Sequence, residues 1–308
     1  MNFQQLRIVR ETVRQSFNLT EVGAALYTSQ SGVSKHIKDL EDELGVELFV
    51  RKGKRLTGLT EPGADLARIV DRLLLDAQNI KELAAHYTQV DEGKLTIATT
   101  HTQARYALPR VISAFRKEFP KVHLALIQGS PEEIQNLLLE GKADIAIATE
   151  ALGGEPDIAA FPYYAWHHAV VVPRGHPLEQ IPALTLDEVA KYPIITYHEG
   201  FTGRSRIDQM FASAGVKPNI AMSALDADVI KTYVELGLGI GIVAEGAFDP
   251  VRDQELTLIK APQLFPQNVT KIGVRRGYFL RGYAYRFIEL CSSALRPELV
   301  RDGVNAIE

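Results

Sequence analysis

Cysteine is almost missing from this chain: of 308 residues, one is cysteine, Cys291. A single thiol excludes an internal disulfide framework and a multi-cysteine zinc site, and it suits a reducing compartment. Long apolar runs are missing as well. Charged residues interrupt each hydrophobic stretch before it reaches the length that spans a bilayer, so no membrane partner is expected. The opening MNFQQLRIVRETVRQ has charges in every apolar run and does not read as a signal peptide, which makes a cytoplasmic location the expectation. No G-x-S-x-G elbow, P-loop or H-E-x-x-H pair occurs. His167, His168 and His176 are too scattered for a metal set, so neither a metal nor a cofactor is expected. There is no internal repeat and no low-complexity tract. An overall positive charge is lacking too: the net charge is −4, and the whole molecule is not a basic nucleic-acid binder.

What is present is ordinary globular material, 46% apolar and 23% charged, enough for two or three domains. The first sixty residues differ from the rest, with nine Lys/Arg against seven Asp/Glu, a local charge of +2. Arg51, Lys52, Lys54 and Arg55 cluster, while Asp39, Glu41, Asp42, Glu43 and Glu47 form a separate acidic group. A small DNA-binding head on an acidic body has this pattern.

The segment 18–44 reads as two short helices joined by a tight turn. Val33, Ile37, Leu40 and Leu44 recur at helical spacing and should face inward. Gln30, Ser31, Ser34, Lys35 and Lys38 fall on other faces, and their polar and cationic groups can reach base edges and phosphates in a major groove. Phe3, Leu6, Val9, Val13 and Phe17 mark a preceding amphipathic helix. Asn18 with Glu21 is an N-cap pattern, Ala24 and Ala25 allow a close helix crossing, and Thr28 or Ser29 can cap the next helix. Residues 47–60 read as a hairpin with a Lys-Gly-Lys tip at 52–54. Beside a helix-turn-helix, such a basic hairpin is favoured as a wing over a plain solvated turn, with Arg51, Lys52 and Lys54 touching DNA.

Pro62 suits the first turn of a long helix in which Leu66, Val70, Leu73, Ala77, Ile80, Ala84 and Tyr87 form a heptad seam, expected to pair two copies. From Lys94 strands at 95–100, 122–129 and 143–149 alternate with helices, a β-α-β-α-β unit that implies a parallel sheet. Further strands are expected at 168–173, 192–197, 219–224, 239–244 and 270–276, with helices near 185–191, 202–214, 226–237 and 280–295. The fold class is α/β behind a mostly helical winged head. The divisions are 1–60 (head), 61–89 (linker helix) and 90–308 (two lobes, about 90–160 with 268–308, and about 161–267).

Three strand ends carry hydroxyls: the T-T-H-T-Q run 99–103, Thr149, and G-F-T-G-R-S at 200–205. Each alone is an ordinary helix cap, but their coincidence at the carboxyl ends of strands in an open α/β sheet points to a ligand, and neutral donors suit a small oxyanion. Tyr163, Tyr164 and Trp166 could wall the site. Cys291, among Phe287, Ile288 and Leu295, is expected to be a buried inert thiol.

These residues resemble the LysR-type transcriptional regulators. LTEVGAALYTSQSGVSKHIKDLEDELGVELFVRKGKRLTGLTEPG (19–63) is similar to their winged helix-turn-helix. ATTHTQARYALP (98–109), QGSPEEI (128–134), ADIAIATEAL (143–152), GFTGRS (200–205) and DADVIKTYVELGLGIGIVA (226–244) resemble the CysB subfamily, regulators of sulfur assimilation. The resemblance implies a periplasmic-binding-protein-like effector domain of two lobes and a homotetramer on promoter DNA, with RNA polymerase as a further partner; the output is gene activation, repression or both. It implies effector contacts by Thr100, Thr102 and Gln103, completed by Thr149, Trp166 and Thr202. The implied effectors are sulfate, thiosulfate, O- or N-acetylserine, or adenosine phosphosulfate. Gly32 and His36 depart from the family's recognition helix, and Glu199 adds a negative charge beside the anion site. Two other classes compete: an oxyanion-capturing solute-binding protein, and an enzyme using Thr100 or Ser130.

Overall fold

The computed structural model describes residues 1–53, 55–88 and 91–306; Lys54, one of the expected wing residues, lies outside the described residues. The chain divides into a first unit, Met1–Tyr87 with Gly277–Phe279, and a second, Thr88–Arg276 with Leu280–Glu308.

In the first unit, α1 (Phe3–Arg14), α2 (Leu19–Ala25) and α3 (Gln30–Leu44) precede an antiparallel hairpin, β1 (Phe49–Lys52) and β2 (Arg55–Leu59). Asn18 Oδ1 accepts from the Thr20 and Glu21 amides, and Ser29 Oγ accepts from Gly32 N–H at 3.1 Å, so the caps stand where the side chains placed them. The core joins Ile8, Val9, Val22, Val33, Ile37, Leu40, Leu48, Phe49 and Leu56, none more than 7% exposed. Burying each such side chain is worth about 1.5–3 kcal/mol before the entropy of ordering is subtracted. Leu44 departs from the expected inward row. It is 40% exposed because α3 ends there, with Gly45 in the left-handed conformation at φ 71°. Phe3 and Val13, expected on the inner stripe of α1, are also exposed.

The long helix α4 (Glu61–Thr88) starts hard against the hairpin: a Cβ at Gly63 would stand 1.9 Å from the Leu48 carbonyl oxygen. Its apolar residues do not form one stripe. Val70 and Leu74 bury against Leu6 of α1, whereas Ile80 and Tyr87 remain 68% and 78% exposed. Part of α4 therefore serves the core of its own head.

The second unit holds two five-stranded sheets. Its strands are β3 (Gly93–Thr99), β4 (Val122–Gln128), β5 (Ile145–Ala148), β6 (Ile158–Trp166), β7 (His168–Pro173), β8 (Ile194–Tyr197), β9 (Ile220–Ala224), β10 (Ile240–Ala244), β11 (Leu256–Lys260) and β12 (Asn268–Arg275). The first sheet has the order β4-β3-β5-β12-β6 and the second β11-β7-β10-β8-β9. The expected parallel pairing holds for β4-β3-β5, but β12 runs antiparallel to both β5 and β6. β6 and β11 are strands beyond those expected from the sequence: β6 alternates weakly, and β11 is a short polar-flanked run. Because β6 pairs with β12 along its whole length, the chain changes sheet at Trp166–His168, later than the expected 161, and returns before Asn268.

Five helices follow strands of this unit: α5 (Leu108–Glu118), α6 (Pro131–Leu139), α7 (Leu186–Ala190), α8 (Arg204–Ser213) and α9 (Ala227–Glu235). α10 (Gly282–Cys291) and a helix not foreseen, α11 (Pro297–Asn305), end the described chain. Gln103–Ala107 forms a π-helical turn ahead of α5. Such turns re-aim side chains and are frequent at functional sites.

Candidate functional site

Strand ends of both sheets meet around a cavity of about 310 Å³ lined by Thr102, Gln103, Tyr106, Ala107, Tyr163, Tyr164, Trp166, Ala244 and Gly246. Its polar corner is organised by a residue the sequence reading did not select, Thr270. This side chain is fully buried at the start of β12, the strand that returns from the second sheet. Trp166 Nε1–H donates to Thr270 Oγ1 at 3.0 Å and Gln103 Nε2–H at 3.4 Å, while Thr149 Oγ1 stands 3.2 Å away. Two N–H donors occupy both lone pairs of Thr270 Oγ1, so Thr149 keeps its own proton for another acceptor. Gln103 is oriented from its other end, because the Tyr164 hydroxyl donates to Oε1 at 2.6 Å. Burial raises the pKa of Tyr164, which keeps that hydroxyl a donor.

The six expected effector residues are therefore placed unequally. Thr102, Gln103 and Trp166 line the cavity, and Thr149 joins two of them through Thr270. Thr100 and Thr202 are buried, at 5% and 4% exposure, and are not part of the cavity wall. Thr202 sits in a strained turn at φ 41°, where its carbonyl accepts from His168 Nε2–H at 2.9 Å. Burial pushes the His168 imidazole down to about 4, so it is neutral and contributes no positive charge. Gly203, at φ 71°, has no room for a side chain: a Cβ would stand 2.7 Å from His168 Cε1. Arg204 turns back from the same loop to donate to the Tyr197 carbonyl at 2.6 Å and to pair with Asp208 at 2.8 Å. The carboxylate at this loop is not Glu199, which is exposed, but Glu150, which accepts from the Gly203 amide and whose pKa burial raises.

Candidate nucleophiles have other occupations. Ser130 caps α6, with Ser130 Oγ accepting from Glu133 N–H at 3.2 Å, and His101 lies between Gln128 (3.2 Å) and Asp228 (3.0 Å). The Cys291 thiol is pushed up to about 12 by burial and is unreactive as a thiolate. His101, Asp226 and Asp228 bring three metal-type ligand atoms together, a grouping not read from the sequence. Arg105 Nε already stands 2.8 Å from Asp228, and Lys231 Nζ 3.7 Å, so cations of the chain itself neutralise it.

In the head, Gln30, Ser31, Lys35, Lys38 and Lys52 are exposed and Ser34 is half-buried. Ser31 shares a 3.1 Å contact with the cap Ser29. Arg51 is less available than expected: its Nη2 pairs at 2.6 Å with Glu41, whose Oε1 also accepts from the Leu48 and Phe49 amides at 2.8 and 3.2 Å. Among the described residues, no helix is long and apolar enough to cross a membrane.

Two family models match this chain. Residues 3–64 match the bacterial regulatory helix-turn-helix protein, lysR family, and residues 88–296 match the LysR substrate binding domain. The chain belongs to the LysR family. The HTH-type transcriptional regulator SsuR of Burkholderia cenocepacia is 61% identical over 308 residues, covering 99% of this chain and all of that protein. CysB of the same organism is 51% identical over 304 residues, covering 99% of this chain and 97% of that protein. The crystal structure of the cofactor-binding domain of the Cbl transcriptional regulator superposes with a TM-score of 0.67 at 52% identity, covering 70% of this chain and 95% of that one. This LysR-family chain is a transcriptional regulator of the branch containing CysB, the sulfur-assimilation regulators, and not an enzyme. Nothing supports the solute-binding alternative.

Thr270 was legible only as part of the strand T-K-I-G-V-R-R. A signal was present, since a threonine opening a strand at the return crossing faces the ligand side of an open sheet. Asp228, which binds across the cavity mouth, was hidden as the second acidic residue of a helix start.

Proposed function

We propose that this LysR-family regulator grips promoter DNA with α3 and the hairpin and adjusts that grip when a small oxyanion enters the cavity. Gln30, Ser31, Ser34, Lys35 and Lys38 read the major groove; Lys52 and Lys54 hold the backbone, and Arg51 divides its charge between Glu41 and phosphate. The observation that carries the effector reading is the Thr270 cluster. It orients Gln103 and Trp166 at the wall that also holds Thr102 and brings Thr149 to the same oxygen, while Thr100 and Thr202 are buried off that wall. Neutral, pre-oriented donors replace the water of a compact anion such as sulfate or thiosulfate without a cationic partner. The volume also admits an organic body, as in acetylated serine or adenosine phosphosulfate, with the tyrosines as its wall. The regulator works in the cytoplasm as a homodimer joined by the exposed part of α4, assembled into a tetramer, and controls transcription by RNA polymerase. Effector binding changes the relation of the two lobes and so the assembly's hold on the operator.

Operator binding is to be measured by fluorescence anisotropy across sulfate, thiosulfate and acetylserine titrations. A constant affinity throughout would defeat the switch. Thr102→Ala should weaken oxyanion binding by about 1–3 kcal/mol if its hydroxyl donates to the ligand, as read by calorimetry. Lys35→Ala should lower the salt slope of DNA binding by about one unit, the signature of one lost phosphate contact. An unchanged slope would remove Lys35 from the backbone contacts.

A further inference from the structure

The cavity has an edge that none of the expected effector residues occupies, and there the two lobes hold each other. Tyr106 and Arg105 belong to the π-turn of the first lobe, and His101 precedes it. All three reach Asp228 in the first turn of α9 on the second lobe. The Tyr106 hydroxyl donates to Oδ1 at 2.6 Å, and Arg105 Nε stands 2.8 Å and His101 Nε2 3.0 Å from Oδ2. Lys231, one turn further along α9, donates to the same Tyr106 hydroxyl at 3.1 Å. Lys231 is itself anchored: buried at 5% exposure, it bonds both Asp253 oxygens at 2.9 and 2.8 Å and the Ala247 carbonyl at 2.8 Å.

The ring of Tyr106 is part of the cavity wall, while its hydroxyl is held by α9 from across the cleft. That wall is complete only while the lobes are closed at this edge. We propose that Asp228 is the latch carboxylate of the cleft, a positioning residue that sets Tyr106 against the effector and so couples cavity occupancy to lobe closure. The inference rests on the effector reading above for the ligand, but not for the latch. A ligand that touches Tyr106 favours the latched form, and reciprocity requires the latch to strengthen the ligand by the same factor. An unlatched cleft spends part of its time open, and the apparent affinity falls by that fraction.

Two measurements on the full chain test it. Calorimetric sulfate affinity is compared for the unaltered protein, Tyr106→Phe, Asp228→Ala and the double variant, with thermal melting to confirm that each folds. Each single change should weaken sulfate binding about fivefold or more. The double variant should match the weaker single variant, because both remove one latch. Independent factors that multiply, or unchanged affinity in Asp228→Ala while the unaltered protein binds sulfate, would overturn the latch. The second measurement needs no ligand. Spin labels at Glu132→Cys and Lys217→Cys, exposed positions on opposite lobes, in a Cys291→Ser background, report the inter-lobe distance. Asp228→Ala should lengthen or broaden it, and identical distributions with and without Asp228 would sink the latch whether or not sulfate binds. If sulfate fails to bind but the distance responds, the effector reading fails and the latch stands.

Discussion

Glu41→Ala is expected to cost about 2–4 kcal/mol of stability in the head, chiefly from two amides left without an acceptor, and to weaken operator binding strongly, as a thermal melt and an anisotropy titration of the full chain would show. Glu41 is 8% exposed and does three things at once. Its Oε1 accepts from the Leu48 and Phe49 amides, fixing the chain where α3 hands over to the hairpin, and its Oε2 holds the Arg51 guanidinium. Removing the carboxylate leaves two amides without their acceptor and a cation without its counter-charge. Leu48 and Phe49 are core residues at 1% and 0% exposure, so the disturbance reaches the packing of all three helices. A Glu41→Gln variant keeps one acceptor oxygen for the amides but loses the charge. It should fall between the two proteins in stability, with Arg51 released. Equal stability of Ala, Gln and unaltered chains would show that the amides find water as good a partner.

Thr270→Val should abolish the effector response, weakening oxyanion binding by about 3 kcal/mol, while leaving DNA binding without effector near its starting value. Valine keeps the volume and the β-branched shape suited to β12, so the strand should persist. What goes is the oxygen on which Trp166, Gln103 and Thr149 converge. The Trp166 and Gln103 groups are then left buried with a lost partner, half-buried Thr149 loses its contact, and the indole and amide no longer have a single preferred orientation. Calorimetry on the full chain reads the first effect. Thr270→Ser, which restores the oxygen, should recover most of the affinity. A valine variant that binds sulfate as tightly as the unaltered chain would show that the cluster is structural only.

Periodicity located α1, α3, α4 and eight of the strands because burial of one face repeats along the chain. Caps were legible because Asn18 and Ser29 act on amides two or three residues away. Where an element depends on a distant partner, no local pattern marks it. β6 is a strand because β12, a hundred residues later, pairs with it. The heptad pattern on α4 is continuous, yet Val70 packs against Leu6 while Ile80 is exposed, a distinction set by which part of α4 has α1 beside it. Hydroxyls at strand ends are visible in the sequence, but which of them reach the cavity is not. Thr102 lines it, whereas Thr100, two residues earlier, is buried away from its wall, a difference set by the fold around the strand end and not by residue type.

The amino-acid order by itself determined the helix-turn-helix head, the hairpin beside it, the alternating strands and helices of the larger unit, and kinship with the LysR regulators. All of these rest on interactions among near neighbours or on patterns repeated along the chain. Only the tertiary structure decided that Glu41 is a buried clasp rather than one more surface acid, that Thr270 gathers Trp166, Gln103 and Thr149, and that Asp228 binds across the cleft. Each is a polar side chain whose partners lie on other elements. Its environment, and hence whether its charge or hydroxyl is solvated or committed, exists only once those elements have come together.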